Sequence, residues 1–399
     1  MVQIPEVKKP LEQEKDFRKD PAFSRETLEE LRDAFPEGTE IRIRKLPEDQ
    51  RTSPFYEEKT RENYLLFEPG EIDENLLEEI LRRYRLSLES PVLILPYGER
   101  NKIGWETRYL YFALALTPEG KFNPEPQISK LEEKFANLPK TRIISFGNCN
   151  VACPYCKRDC QFVDESGKPI ISIPVPIEDI ARLMEGAHER GEIVRFSGGD
   201  PVVYPLQTLA LAEYMWRRHE TKVSIAHNGS GPRWVEKMLP YLSSAAIDLK
   251  GVPEKIGKIM GIHPERGKLF FDLSLETQRL ISGSRIILDV RTPIFGDTTL
   301  EEMLRLAEAI SENNNLDYTF WTWRMYKPVR GCEFEVPTKE NTIELMLKVS
   351  QEFPDLWMGI RAKWERGGMI FIRKGTIIRT PDVTDKDEEE IGSGNKILV

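Results

Sequence analysis

From Thr141 onward the chain alternates short aliphatic, strand-like runs with amphipathic helical stretches, and no other feature limits its fold so strongly. The strands fall at Arg142–Phe146, Ile193–Ser197, Lys222–Ala226, Ala245–Asp248, Arg285–Arg291 and Tyr318–Trp323. Between them, Ile177–Arg190, Leu206–Arg218, Pro232–Leu239, Leu273–Ile281 and Leu300–Asn313 carry helical spacing. Strands separated by helices pair in parallel, and right-handed crossovers curl such a sheet in one direction. The expected class is α/β, a partial (β/α)6 barrel with its site at the C-terminal ends of the strands.

The barrel is expected to span residues 139–335. Before it, residues 1–23 read as a flexible lead-in and 24–138 as an N-terminal α/β domain. In that domain Ile41–Arg44, Tyr64–Phe67, Val92–Leu95 and Leu110–Leu116 look like strands, and Leu76–Tyr84 and Ile128–Leu138 like helices. After it comes a small C-terminal α+β extension, residues 336–381, with a helix at Asn341–Phe353 and a hairpin of Leu356–Ala362 and Met369–Arg379 around Gly367-Gly368. Residues 382–399 read as a mobile acidic tail.

Net charge is −9, from 57 Lys and Arg against 66 Asp and Glu, which gives no general pull on nucleic acid or anionic membrane. A local basic groove would be needed for RNA. The longest apolar run, Tyr109–Leu116, falls far short of the roughly 20 residues of a membrane helix. The first residues have no apolar signal region, so a cytoplasmic protein is expected. The charged fraction of 31% together with few glutamines is a thermophile-like composition.

Five cysteines are present, four of them between positions 149 and 160, the fifth being Cys332. An odd, clustered set in a charged chain reads as a metal site, not a disulfide framework. Cys149, Cys153 and Cys156 can wrap one face of a cubane cluster and leave one iron open. With Cys160 as a fourth ligand the same segment would be a closed electron-transfer cluster. Third comes a zinc knot, cramped for ligands packed so closely. Cys332 reads as a buried structural thiol.

The spacing C-x3-C-x2-C, with Tyr155 just before the third cysteine and a strand just before the first, resembles the signature of the radical S-adenosylmethionine (SAM) superfamily. Phe196-Ser-Gly-Gly-Asp-Pro201 looks like that family's "GGEP" strip, with aspartate for glutamate. Ala226-His-Asn-Gly-Ser-Gly231 resembles its "TNG" segment, and Ala246-Ile-Asp-Leu-Lys-Gly251 the "DLK" of the enzymes that activate pyruvate formate-lyase and other glycyl-radical enzymes. Leu288-Asp-Val-Arg-Thr-Pro293 is a partial match. The resemblance implies a radical SAM core with a [4Fe–4S] cluster on Cys149, Cys153 and Cys156, and S-adenosyl-L-methionine as cofactor. It implies that Tyr155 packs by the adenine and that Gly198, Gly199 and Asp200 hold the amino end. It further implies that Asn228, Asp248, Lys250 and Arg291 contribute to the SAM pocket. An ordinary turn at Asn228-Gly229, a solvated Asp248–Lys250 pair and a structural salt bridge at Arg291 are the plain alternatives. Trp321, Trp323 and Tyr326 read as core.

The implied activity is reductive cleavage of SAM to a 5′-deoxyadenosyl radical that abstracts hydrogen from a substrate. A protein glycine is the activase-like choice; RNA, a peptide or a small molecule recognised by residues 24–138 is the second. An external electron donor, ferredoxin or flavodoxin-like, is the expected partner. A non-enzymatic iron–sulfur carrier using Cys160 stands as the other class.

Overall fold

Each strand of the core is followed by a helix that carries the chain back to begin the next strand beside it, so the strands pair in parallel and in sequence order. The structure is a computed structural model that describes residues 69–94, 105–107, 141–156, 162–163, 173–326, 334–361, 369–379 and 396–397. Its elements are α1 (Glu74–Arg83), β1 (Pro91–Ile94), β2 (Trp105–Thr107), β3 (Thr141–Phe146), β4 (Phe162–Val163), β5 (Ile173–Pro176), α2 (Ile177–Glu189) and β6 (Ile193–Gly198). Then come α3 (Pro205–His219), β7 (Val223–His227), α4 (Pro232–Met238), β8 (Leu242–Asp248), α5 (Pro253–Met260), α6 (Gly267–Gly283) and β9 (Ile287–Ile294). The chain continues through α7 (Leu300–Asn313), β10 (Thr319–Met325), α8 (Lys339–Glu352), β11 (Trp357–Arg361), β12 (Met369–Arg373), β13 (Thr376–Arg379) and β14 (Lys396–Ile397).

Strands β3, β6, β7, β8, β9, β10 and β11 are parallel neighbours in that order. This is the singly wound α/β arrangement of a partial barrel. Its sheet has two chemically distinct faces, because successive side chains alternate. One face carries Ile144, Phe146, Val194, Phe196, Ile225, Ile247, Leu288, Val290, Trp321, Trp323, Met358 and Ile360, all buried in one cluster with the helices. Trp321 and Trp323 are therefore core, as their alternation suggests. The other face carries Ser145, Ser197, Ser224, Ser244, Asp248, Asp289, Arg291 and Thr322 in register across β3 to β10. Small and charged side chains there keep that face open to polar chemistry.

The domain boundaries differ from the sequence expectation. Residues 69–94 do not stand apart from the barrel: β1 pairs antiparallel with both β3 and β5, and β2 pairs with β3. Helix α1 packs on α3, where Tyr84 donates to Glu213 at 2.9 Å, Arg83 pairs with the same carboxylate, and the Asp73 N–H donates to the Tyr214 hydroxyl at 2.9 Å. Nor is the C-terminal extension separate. Strand β11 is a seventh parallel strand, and β12 and β13 continue the same sheet antiparallel. The expected hairpin is thus three strands, with a second turn at Lys374-Gly375. Of the tail, Lys396–Ile397 pair with β4. The expected elements at Ile41–Arg44, Tyr64–Phe67, Leu110–Leu116 and Ile128–Leu138 lie outside the described residues, as do Cys160, Cys332 and residues 1–23.

Among the described residues no helix is long and apolar enough to cross a membrane. A buried ion pair ties the first core strand to the second: Arg142 donates from Nε and Nη2 to the two Glu192 oxygens at 2.9 and 2.7 Å, with the side chains 1% and 5% exposed. Removing Arg142 leaves the buried Glu192 only its longer contact with the partly exposed Arg190 at 3.3 Å. Arg142→Ala is expected to lower the unfolding free energy by about 3–5 kcal/mol in urea denaturation, and a loss below about 1 kcal/mol would contradict this role.

Candidate functional site

The site is built where β3, β6, β7 and β8 end. Beyond Phe146 the chain turns into the cysteine loop, and the end of β6 lies directly against that turn. Gly199 donates to the Phe146 carbonyl at 2.6 Å and Asp200 donates to the Asn148 carbonyl at 2.7 Å. Only glycine fits there. Gly198 has φ +111°, and a Cβ on Gly199 would stand 2.0 Å from the Asn148 oxygen.

Asp200 is almost fully buried, and its carboxylate gathers three donors from the ends of β6 and β7. Oδ1 accepts from the Val202 N–H at 3.0 Å and from His227 Nδ1 at 2.7 Å, and Oδ2 accepts from the Asn228 N–H at 2.8 Å. The Gly231 N–H donates to His227 Nε2 at 2.9 Å, so the ring proton sits on Nδ1 and points at Asp200. Hydrogen bonds to a charged group are worth about 1.5–3 kcal/mol each, so Asp200 fixes the β6 end to the β7 end firmly. The resemblance gives Asp200 the amino end of SAM; in the structure its carboxylate accepts from these three protein donors.

Asn228 extends the network to the cysteines. Its Nδ2 donates to Asn150 Oδ1 at 2.6 Å and lies 3.9 Å from Cys149 Sγ, while its Oδ1 accepts from the Ser230 N–H and hydroxyl at 3.0 and 2.6 Å. Asn150 in turn donates to Ser230 at 2.8 Å. The Asn-Gly segment is thus a clamp on the cysteine loop as well as a turn. Asn150 was not foreseen; nothing local marks it beyond its place after Cys149.

The loop itself is embedded in apolar side chains. Val151, Cys153, Ile256, Met260 and Phe270 form one buried cluster, with Cys149, Tyr155 and Cys156 against it. The Ala152 N–H donates to the Met260 carbonyl at 3.1 Å, so helix α5 closes over the loop. Burial, with the charges of Asp200 and Cys153 behind it, pushes the Cys149 thiol well above its ordinary pKa. A metal is what would bring such a thiol down, since a coordinating thiol is deprotonated outright.

Tyr155 turns toward the β8 and β9 ends. It meets Phe295, Tyr326 and Phe334 edge to face at centroid distances of 5.5, 6.5 and 6.2 Å, and the Lys250 ammonium stands 5.5 Å from its ring centre. Tyr326 therefore belongs to the site's aromatic wall rather than to the helix-side core. Lys250 and Asp248 form an ion pair at 2.6 Å. Burial opposes the Lys250 charge, but Asp248, Tyr155 and Cys153 outweigh it and hold its pKa well above the ordinary value. Burial likewise raises Asp248, yet Lys250, Arg324 and Arg291 more than offset it, and its pKa is lowered. Arg291 donates to Asp289 at 2.7 Å, the structural salt bridge among its two alternatives.

The residues present fit a cubane cluster. Three soft thiols lie on one loop against an apolar cluster, Cys153 buried and Cys149 and Cys156 partly so. Among the described residues no three His, Cys, Asp or Glu side chains are gathered to hold a single ion. A cubane places each thiolate on a different iron, so its ligands stand farther apart than those around zinc.

The radical SAM superfamily model matches residues 143–310, which hold this loop, the glycine strip and β3 through α7. The chain carries a radical SAM domain. The cofactors of that family are a [4Fe–4S] cluster and SAM, and its members are generally enzymes. No curated protein is matched by the sequence. Similar solved structures include a domain of pyruvate-formate lyase-activating enzyme from Bacteroides vulgatus, 14% identical over 42% of this chain and 98% of that one, at a TM-score of 0.34. A radical SAM methyltransferase from Sphaerobacter thermophilus is 12% identical over 73% and 82%, at 0.42. Streptococcus suis SuiB bound to S-adenosylmethionine is 15% identical over 63% and 58%, at 0.40.

In this radical SAM domain Gly199→Ala should push the β6 end off the cysteine loop. Iron bound after anaerobic reconstitution is expected to fall several-fold. Gly283→Ala is the control, since a Cβ there meets nothing within 4 Å. Equal iron content in both variants would contradict the close-contact role of Gly199.

Proposed function

We propose that this protein is a radical SAM enzyme acting on a substrate held against the polar face of its sheet. One observation carries the reading: the three-cysteine loop and the glycine strip are held together by the Asp200–His227–Asn228–Asn150 network. Cys149, Cys153 and Cys156 would hold the cluster, which with SAM bound would supply one-electron cleavage of a carbon–sulfur bond and abstraction of a hydrogen atom from the substrate.

The protein's part is orientation and exclusion of water. Gly198 and Gly199 leave backbone open beside the loop for the ammonium end of SAM. Lys250, kept charged by Asp248, suits its carboxylate. Tyr155 and the wall of Phe295, Tyr326 and Phe334 offer an apolar seat for the adenine. Asp200 and Asn228 act as positioning residues.

The electron would come from a reduced ferredoxin or flavodoxin-like protein in the cytoplasm, where thiols stay reduced. The Asp248–Lys250 pair favours an activase-like reaction at a protein glycine, since that pattern is the one shared with glycyl-radical activases. In the second reading, modification of RNA, a peptide or a small molecule, residues 24–138 would serve in recognition.

Anaerobically reconstituted protein, given dithionite and SAM, is expected to release 5′-deoxyadenosine and methionine in equal amounts. Cys153→Ala should release neither, and Cys160→Ala should keep its cluster iron. Cluster loss in Cys160→Ala, or no 5′-deoxyadenosine from fully loaded protein, would overturn the reading.

A further inference from the structure

Three buried side chains beside Cys149 close a ring of hydrogen bonds. Asn228 Nδ2 donates to Asn150 Oδ1 at 2.6 Å, Asn150 Nδ2 donates to the Ser230 hydroxyl at 2.8 Å, and that hydroxyl donates to Asn228 Oδ1 at 2.6 Å. The Ser230 N–H donates to the same oxygen at 3.0 Å. A backbone N–H can only donate, so it fixes which end of the Asn228 amide is oxygen, and the ring then fixes the other two groups. An amide nitrogen carries two protons. One of those on Asn228 goes to Asn150. The second is left for Cys149, whose Sγ lies 3.9 Å from Nδ2.

The amide is held from several sides. The Asn228 N–H donates to Asp200 Oδ2 at 2.8 Å, and Thr277 on α6 donates to the Gly229 carbonyl at 2.9 Å. Gly229 has φ +87° and backs onto Ser274, so the turn carrying Asn228 has no room to shift that way. Members of a buried, satisfied ring polarise one another and gain rigidity. Asn150 Oδ1 also lies 3.9 Å from Cys149 Sγ, where it can accept only from the protonated thiol. Once Cys149 gives up that proton to a metal, two donors face its sulfur: the Asn228 amide and the Val151 N–H.

Reducing an iron–sulfur cluster adds one negative charge, part of which falls on the ligating sulfurs. A donor aimed at such a sulfur stabilises the reduced form more than the oxidised form, and so raises the reduction potential. The effect is stronger where the surroundings are apolar, as they are against Val151, Ile256, Met260 and Phe270.

We infer that Asn228 raises the reduction potential of the cluster through Cys149, with Asn150 and Ser230 as the positioning residues that aim its amide. This rests on the proposed radical SAM reading for the cluster, but its test needs neither SAM nor turnover. Full-length protein is reconstituted anaerobically and titrated with reductant, the reduced cluster being followed by electron paramagnetic resonance. Asn228→Asp keeps the shape but puts a negative oxygen where the donor stood. It is expected to disfavour reduction at least tenfold, a fall of about 59 mV for one electron. Asn228→Ala, which only removes the donor, should disfavour reduction about threefold. Ser230→Ala keeps the amide but loosens its aim, so its potential should fall between wild type and Asn228→Ala. A purely structural role would lower the iron bound and leave the potential of the assembled clusters unmoved. Unchanged or raised potentials in both Asn228 variants would overturn the inference. Where these do not load a cluster, an unchanged potential in Ser230→Ala would do the same. A wild-type cluster that is reduced but does not cleave SAM would count against the radical reaction alone, since the potential is read without it.

Discussion

The buried carboxylate of Asp200 is the contact on which the site depends. It sits where three segments distant in sequence must meet: the end of β6, the end of β7 and the turn into the cysteine loop. Oδ1 is answered by Val202 just beyond β6 and by His227 at the end of β7, and Oδ2 by the Asn228 N–H, while the Asp200 N–H holds the Asn148 carbonyl of the cysteine loop. Because a buried carboxylate without donors is costly, these segments are held together or not at all. The cysteines gain their setting from this arrangement, since Asn228 reaches through Asn150 to Cys149. A cluster site built on a loop is thereby given the rigidity of the sheet.

The division of the sheet into two faces serves the same end. Its helix side is filled by large apolar side chains, Trp321 and Trp323 among them. That packing lets the opposite side be small and charged without loss of a core. Ion pairs line up there along the strand ends, Asp248 with Lys250 and Asp289 with Arg291. Aromatic side chains close the site at Tyr155 and close the face at Phe320 and Phe371. Reactive chemistry needs a dry, preorganised enclosure, and both ends of this face supply apolar walls.

Much of this was legible in the sequence because the periodicities are strong. The six strands and most of the helices fall where alternation and helical spacing put them, and Cys149, Cys153 and Cys156 follow the first strand as read. Helix α5 was missed. Its segment Pro253–Met260 is bounded and interrupted by Gly251, Gly257 and Gly261, which break the helical spacing; yet Pro at the first position and a left-handed Gly261 after the end are proper helix punctuation. The separate outer domains were also misjudged, because nothing local tells β1 or β11 which sheet it joins; pairing is a non-local choice. The same holds for side-chain roles. Asp200 was marked by its motif, but its partners lie 27 and 28 residues away and emerge only in the fold. Asn150 carried no signal until the fold set it beside Asn228.

The account reduces to a cluster that Cys149, Cys153 and Cys156 would hold at three irons, leaving the fourth open to SAM. Mössbauer spectroscopy of isotope-enriched, reconstituted protein reads each iron separately. Adding SAM is expected to change the signal of one iron in four and leave the others alone. Four irons with unaltered signals under saturating SAM would contradict the account, because every corner would then already be taken by the polypeptide.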